Sequence, residues 1–141
     1  MPSNVLTAYA SITDVFKVLL PQGVPELVTV GSVYRVGTSL PSGLDVTLPY
    51  VRVDRVGGRQ EKLLETPVLD LDVFHSSRPL AVSLSETIST FLLGYPHAVV
   101  LPGGRKVILD IIEQVSPPVE VPWDDSNIRR FLSSYQITVR R

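Results

Sequence analysis

The sequence contains no cysteine, which excludes disulfide bonds, thiolate metal sites and a cysteine nucleophile, and which suits a protein made in a reducing cytoplasm. It also lacks a basic excess, since 13 lysines and arginines stand against 14 aspartates and glutamates, for a formal net charge of -1. Proteins that bind nucleic acid through phosphate contacts usually carry a clear positive excess. Tight, independent DNA binding is therefore not expected.

Long apolar runs are absent as well. A membrane-spanning helix needs about 20 consecutive apolar residues, and no run in the chain reaches that length. The first ten residues have no positively charged stretch ahead of an apolar one, so we expect neither a membrane span nor a secretory signal. The length of 141 residues predicts one domain, residues 1–141, with a single core. Only 19% of the residues are charged, 44% are hydrophobic and 12 are prolines, a composition that favours burial against other subunits.

The first half of the chain combines one helical pattern with three alternating ones. A helix is predicted from Ile12 to Pro21, because its apolar residues recur at the spacing of one helical face and Ser11 or Thr13 can cap it. Residues 33–40, 48–56 and 67–74 alternate apolar and polar side chains, which predicts three strands. The last two would form an antiparallel hairpin around a long, exposed loop at residues 57–62.

The second half predicts one more helix and two more strands. Ser77 is a candidate N-cap with Pro79 in the first turn, and an apolar stripe then continues to Gly94. Residues 107–113 and 131–140 have strand character, and a proline-rich connection at residues 116–125 separates them. The predicted order is helix, three strands, helix, two strands. It indicates an α+β fold, with a single mixed or antiparallel sheet and two helices packed on one face.

The chain offers few candidates for catalysis. His75 and His97 belong to no recognised motif, so a surface or capping role is expected for each. Asp70 and Asp72 share a strand face and could be a carboxylate pair, but strand alternation places such pairs on any solvated face. The sequence therefore predicts no catalytic residue, no metal site and no cofactor site, and it predicts that the protein is not an enzyme.

Two glycine pairs, Trp123 and the charged C-terminal region can also be explained without a catalytic or ligand-binding role. Residues 57–58 and 103–104 are each followed by arginine, yet neither pair has the spacing of a phosphate-binding loop, and we expect turn glycines with positive φ. Trp123, in a proline-rich loop, either covers the edge of the core or anchors an interface, and the sequence leaves both open. Arg140 belongs to a basic C-terminus that is either solvated or contacts another subunit.

The order of these elements carries a resemblance to a known family. The strand at residues 51–56 that runs into Gly57 and Gly58, the strand at residues 70–74 and the helix that contains Ala81 follow one another as in tail terminator proteins. Together with the first helix ahead of residues 40–41, they make the chain similar to the tail terminators of long-tailed phages, in particular phages of mycobacteria and related hosts. The similarity covers most of the chain from Val15 onwards.

The resemblance implies a structural virion protein at the neck end of the tail, assembled in the host cytoplasm. Such proteins cap the tail tube as a ring, typically a homohexamer, end tube polymerisation and form the surface on which the head docks. The expected partners are further copies of the chain, the major tail tube protein and head-tail connector proteins, with DNA only passing through the ring and no membrane. Asp70 and Asp72 are candidates for the face that lines the bore. The candidate interface residues are Leu40, Pro41, Arg59, Lys62, Trp123 and Arg140.

Two other functions remain open at this stage. Another neck protein, such as a head-tail connector or a head completion protein, would share the small size and the ring. A small enzyme that uses His75 with Asp70 or Asp72 is the more remote alternative.

Overall fold

A computed structural model describes residues 11–60 and 64–140. In this part of the chain the regular elements are two α-helices, two short 3-10 turns and six strands. The order is α1 (Ile12–Gly23), a 3-10 turn (Pro25–Leu27), β1 (Val36–Gly37), a 3-10 turn (Leu44–Val46), β2 (Tyr50–Gln60), β3 (Leu64–His75), α2 (Arg78–Leu92), β4 (His97–Val100), β5 (Lys106–Val121) and β6 (Arg129–Arg140).

The strands form one mixed sheet in the order β1-β2-β3-β6-β5-β4. Strand β1 runs parallel to β2, and every other neighbouring pair is antiparallel. The α+β class expected from the sequence is confirmed.

The main core contains apolar side chains of both helices and of one face of the sheet. The strand residues on this face alternate with polar ones, as in Leu69, Leu71 and Val73 of β3 and Tyr135 of β6. Phe16 of α1 is fully buried in the same cluster. That both helices pack on one face of the sheet stays a prediction.

A second, smaller core lies at one end of the sheet. Tyr50 of β2 and Phe74 of β3 are cross-strand partners and pack with Leu44 and Ile128. Leu40, Leu48 and Trp123 cover this cluster. It fixes the segment between α1 and β2 and the segment between β5 and β6 against the same end of the sheet.

Several predicted boundaries are wrong in the first half of the chain. Pro21 lies inside α1, and the helix continues to Gly23. The strand expected over residues 33–40 is limited to Val36–Gly37. Residues 57–60 belong to β2 and pair with residues 65–68 of β3. These four residues are therefore not part of an exposed loop, although one was expected for residues 57–62.

The second half differs in two places. Strand β5 continues to Val121, although residues 116–125 were expected to be a connection. A short strand, β4, places His97 in the sheet instead of in a loop. Helix α2 has the predicted cap, because the Ser77 hydroxyl accepts a hydrogen bond from the Leu80 amide at 3.4 Å.

Candidate assembly surfaces

The sheet has a second face, opposite the main core, that carries charged side chains. We call it the charged face. Because cross-strand partners point to the same side of a sheet, it includes Arg52 opposite Asp72 and Asp54 opposite Asp70. Arg130, the partner of Phe74, lies on the same side.

Asp72 is the centre of an ion-pair network on the charged face. It is only 5% exposed. Its Oδ2 accepts hydrogen bonds from Nε and Nη2 of Arg52 at 3.1 and 2.8 Å, and its Oδ1 accepts one from Nε of Arg130 at 2.7 Å. A buried carboxylate needs such partners, because its loss of hydration is costly. The expectation of a solvated face is therefore wrong for Asp72.

Aromatic rings extend this network toward the small core. The guanidinium of Arg52 lies 5.7 Å from the ring centre of Phe74, and that of Arg130 lies 5.7 Å from Trp123. The two rings meet edge to face, with centres 4.9 Å apart. These cation–π and aromatic contacts join the ion pairs to the loop that holds Trp123.

Asp70, two residues before Asp72, is less buried than Asp72 and has no arginine among the hydrogen-bond partners described for it. It is half-buried, and its Oδ1 accepts a hydrogen bond from the Ser134 hydroxyl. The two carboxylates share one face, as predicted, but they differ in burial and in partners. Their assignment to the bore of a ring stays a prediction.

A groove forms around Trp123 at the end of the sheet where β2 begins. The cavity is about 290 Å³, and its lining combines apolar and acidic side chains: Leu40, Pro41, Ser42, Leu44, Asp45, Trp123, Asp125 and Ile128. A second cavity of about 420 Å³ shares Trp123, Asp125 and Ile128 with the first and reaches Arg130. Three of the predicted interface residues, Leu40, Pro41 and Trp123, thus come together. We call this region the Trp123 end.

The other predicted interface residues belong to the opposite end of the sheet. Arg59 is near the end of β2, and Arg140 ends β6 opposite Leu64, the first residue of β3. Both are exposed, and Arg140 donates hydrogen bonds to Asp110 at 2.7 and 3.1 Å. Lys62 lies outside the described residues. Strand β6 has 12 residues, and at about 3.3 Å per residue it separates the two ends by roughly 36 Å. We call this region the Arg140 end.

The histidines do not form a catalytic arrangement with Asp70 or Asp72. His75 is buried, so the surface alternative of its expected surface or capping role is wrong. Its Nε2 lies 3.0 Å from Glu26 Oε2, and its Nδ1 accepts a hydrogen bond from the backbone amide of Ser76, shortly before α2. His97 donates to the carbonyl of Leu92, the last residue of α2, at 3.1 Å, so its expected capping role is confirmed. The carboxylates of Asp70 and Asp72 bond instead to serine and arginine.

Two further findings concern only residues 11–60 and 64–140. No three side chains of His, Cys, Asp or Glu converge there in a way that could hold a metal ion. None of the helices described has both the length and the apolar character that crossing a membrane requires.

Glu120, at the rim of the larger cavity, joins three elements. Its Oε2 accepts from Arg129 of β6 at 3.0 Å, and its Oε1 accepts from Arg78 of α2 at 3.2 Å. The hydrogen bond from Arg129, followed by that from Arg78, lowers the pKa of this carboxyl.

A lowered pKa in the folded state predicts how the Glu120 contact depends on pH. The contribution is fully present above the ordinary carboxyl pKa and is lost as the pH falls through the folded-state value. In an NMR titration, the Glu120 carboxyl should titrate below the ordinary glutamate pKa. In Arg129→Gln its midpoint should move up toward that ordinary value, and an unchanged midpoint would contradict this cause.

One contact of the Asp72 network could have been predicted from the alternating side chains of the two hairpin strands. The sequence already placed Arg52 on one face of β2 and Asp72 on one face of β3, so antiparallel pairing could have joined them. No comparable signal joined Arg130 or Trp123 to Asp72. Arg130 lies 58 residues away along the chain.

Comparisons with known proteins agree with this architecture. A family model described as phage tail termination protein matches residues 8–141. A chain of the solved structure titled "Virion of native gene transfer agent (GTA) particle" superposes with a TM-score of 0.60 at 16% identity. The match covers 94% of the present chain and 100% of the other, and at this identity it shows a shared fold. No curated protein matches the chain.

Proposed function

The chain belongs to the phage tail termination protein family, which makes it a structural protein of the phage tail, and from this premise we propose that it closes the tail tube as a ring. In this proposal the ring, typically of six copies, ends tube polymerisation on one side. On its other side it forms the surface on which the head docks.

The separation of two unlike surfaces is the observation that supports the proposal most directly. A terminator must contact the tube on one side and the head connector on the other, so it needs two different surfaces that face apart. The groove of about 290 Å³ at the Trp123 end is apolar and acidic, with Leu40, Trp123 and Asp125 in its lining. The Arg140 end is formed by strand ends and carries arginines, with Arg59 and Arg140 exposed. Lys62 follows Arg59 in the sequence.

The charged face is our proposal for the wall of the bore. Its carboxylates, Asp54, Asp70 and Asp72, are offset in part by Arg52 and Arg130. A nearly balanced surface attracts phosphates weakly, because phosphate affinity rises with the number of cationic contacts. Duplex DNA could then pass through the ring without being held, and no sequence-specific contact is proposed.

The partners follow from this arrangement. We propose that the chain contacts further copies of itself, the major tail tube protein and the head-tail connector proteins, and no membrane. Assembly would take place in the host cytoplasm, where the tail tube is built. No catalytic step is part of the proposal, since the hydrogen bonds of His75 and of Asp72 serve the fold.

An assay with purified components tests the capping step. Tail tube protein that polymerises on its own should stop elongating when the purified chain is added, because a bound ring occupies the end of the tube. Tube lengths are measured by negative-stain electron microscopy at several ratios of the two proteins. Elongation that continues unchanged at saturating amounts of the chain would contradict capping.

Variants at the two ends should separate the two docking events. Trp123→Ala changes the Trp123 end and Arg140→Ala changes the Arg140 end, and the two sites are far apart along β6. In phage that carry each variant, we expect overlong tails from one and normal tails without heads from the other. The same defect from both variants, with the fold of each intact by circular dichroism, would contradict the assignment of the ends to different partners.

A further inference from the structure

Two strands of the sheet have outer edges that run past their short neighbours. Strand β1 pairs with β2 only at Val51 and Arg52. Strand β4 pairs with β5 only at residues 106–109. Among residues 11–60 and 64–140, no strand lies along the outer edge of β2 beyond Arg52 or along that of β5 beyond Leu109. Exposed edges of this length are open to pairing with another chain.

The open part of β2 and the open part of β5 lie at the two lateral edges of the sheet, level with each other along the strand direction. Asp54 is opposite Asp70, Asp70 is opposite Ser134, and Ser134 is opposite Ser116. In the same way, Gly57 is connected through Val68 and Gln136 to Glu113. The open part of β2 therefore lies level with residues 111–116 of β5.

The strand directions also suit a contact between two copies. Each step from β2 to β3, to β6 and to β5 reverses the chain direction. Strand β5 is thus antiparallel to β2. If a second copy lies beside the first with the same orientation, its β5 meets β2 as an antiparallel neighbour, the pairing with the better hydrogen-bond geometry.

The side chains along the two edges are complementary. Val56 on β2 is 52% exposed and Ile111 on β5 is 43% exposed, so each edge offers apolar surface to the other. Arg59 and Glu113 are both exposed and of opposite charge. Their cross-strand partners, Thr66 and Gln136, place both side chains on the charged face.

We propose that the outer edge of β2 in one copy pairs with the outer edge of β5 in a second copy of this chain. The inference rests on the proposed ring, and it names the contact that closes it. The contact is head-to-tail and uses two different edges, as a cyclic assembly requires. Pro117 and Pro118 have no amide N–H to donate, so the pairing is centred on residues 111–116.

This edge contact joins the sheets of neighbouring copies and leaves the Trp123 end and the Arg140 end facing apart, toward the tube and the head. The charged face then continues from one copy to the next. Closing such a sheet into a ring staggers neighbouring strands, so a register shift of a few residues is part of the expectation.

Engineered cysteines test the contact directly, because the chain has no cysteine of its own. Val56→Cys is combined in turn with Ile111→Cys, Glu113→Cys and Val115→Cys, which allows for the stagger. Within one copy the two strands are three strand spacings apart, roughly 14 Å, and this distance is too long for a disulfide. Virions are oxidised and run on a non-reducing gel.

At least one pair should give a ladder of covalent multimers that disappears on reduction. The single-cysteine variants are the first control, and Val56→Cys with Thr87→Cys on the exposed side of α2 is the second. Neither should give a ladder. No ladder from any of the three pairs, in virions with tails of normal length, would overturn the edge contact and leave the capping function standing. A failure of the proposed capping function would be seen separately, because phage without the gene would then have tails of normal length.

A charge exchange tests the same contact without cysteine. Arg59→Glu should reduce the yield of infectious particles on the order of tenfold, because it places like charges side by side. Adding Glu113→Arg to that variant should restore the yield. A double variant no better than the single one would contradict the pairing of these two edges.

Discussion

Replacing Asp72 with alanine should lower the free energy of unfolding by about 3 kcal/mol. The reason is that Arg52 and Arg130, whose side chains are only 27% and 20% exposed, lose the carboxylate that offsets their positive charges. Removing one partner of a buried ion pair costs more than the pair contributes, because the remaining charge stays away from water. Urea denaturation of the purified chain, followed by circular dichroism, measures the loss.

Asp110→Ala is the matched control for Asp72→Ala. Asp110 also accepts hydrogen bonds from an arginine, but Arg140 is 61% exposed and water can replace the contact. The expected loss is much smaller than that of Asp72→Ala, because an exposed ion pair contributes little to stability. Equal losses in the two variants would show that burial of the Asp72 network does not contribute to stability.

The adjacent glycines of β2 should differ strongly in how much stability is lost on replacement by alanine. Gly58 has a φ of 107°, a conformation that strains residues with a side chain, and a Cβ there would collide with the backbone of Thr66 and Pro67 in β3. We expect Gly58→Ala to cost about 2 kcal/mol or more, from backbone strain together with the displaced strand.

Gly57→Ala is the control that tests whether the loss of stability is specific to position 58. A Cβ at Gly57 meets no atom within 4 Å, so the change should be within about 0.5 kcal/mol. Both variants are compared by thermal unfolding under one condition. A large loss at Gly57, or none at Gly58, would contradict the observed pairing of β2 with β3.

The elements predicted well from the sequence are those with local signals. Helix α2 begins with a capping serine and an early proline, and its apolar stripe ends close to Gly94. Strand β6 alternates over its whole length, and the structure buries every second residue from Phe131 to Val139. In both elements the local preference and the tertiary packing agree.

The elements predicted poorly depend on neighbours that the sequence does not reveal. The prolines at residues 117–118 suggested a connection, but β5 is an outer strand there, and an outer edge tolerates the missing amide. Residues 33–40 alternate like a strand, yet only Val36–Gly37 finds a partner. Gly57 and Gly58 were expected in a turn, but both lie in β2, directly after a register shift between Arg55 and Gly57.

The candidate surfaces were predictable residue by residue but not as surfaces. Leu40, Pro41 and Trp123 were each candidates for an interface, but nothing local showed that they line one groove. Asp70 and Asp72 were correctly placed on one face. The environment of Asp72 depends on Arg130, which the pairing of β6 with β3 brings within hydrogen-bond distance of the carboxylate.

The length of the tail is the most direct test of the central claim. Phage that lack this gene are examined by negative-stain electron microscopy, and the wild-type gene supplied in trans is the control. We predict tails of uncontrolled excess length, shortened to normal by the supplied gene, because a tube without its cap continues to polymerise. Tails of normal length beside unattached heads would contradict the claim and would show that the protein acts on the head side of the neck.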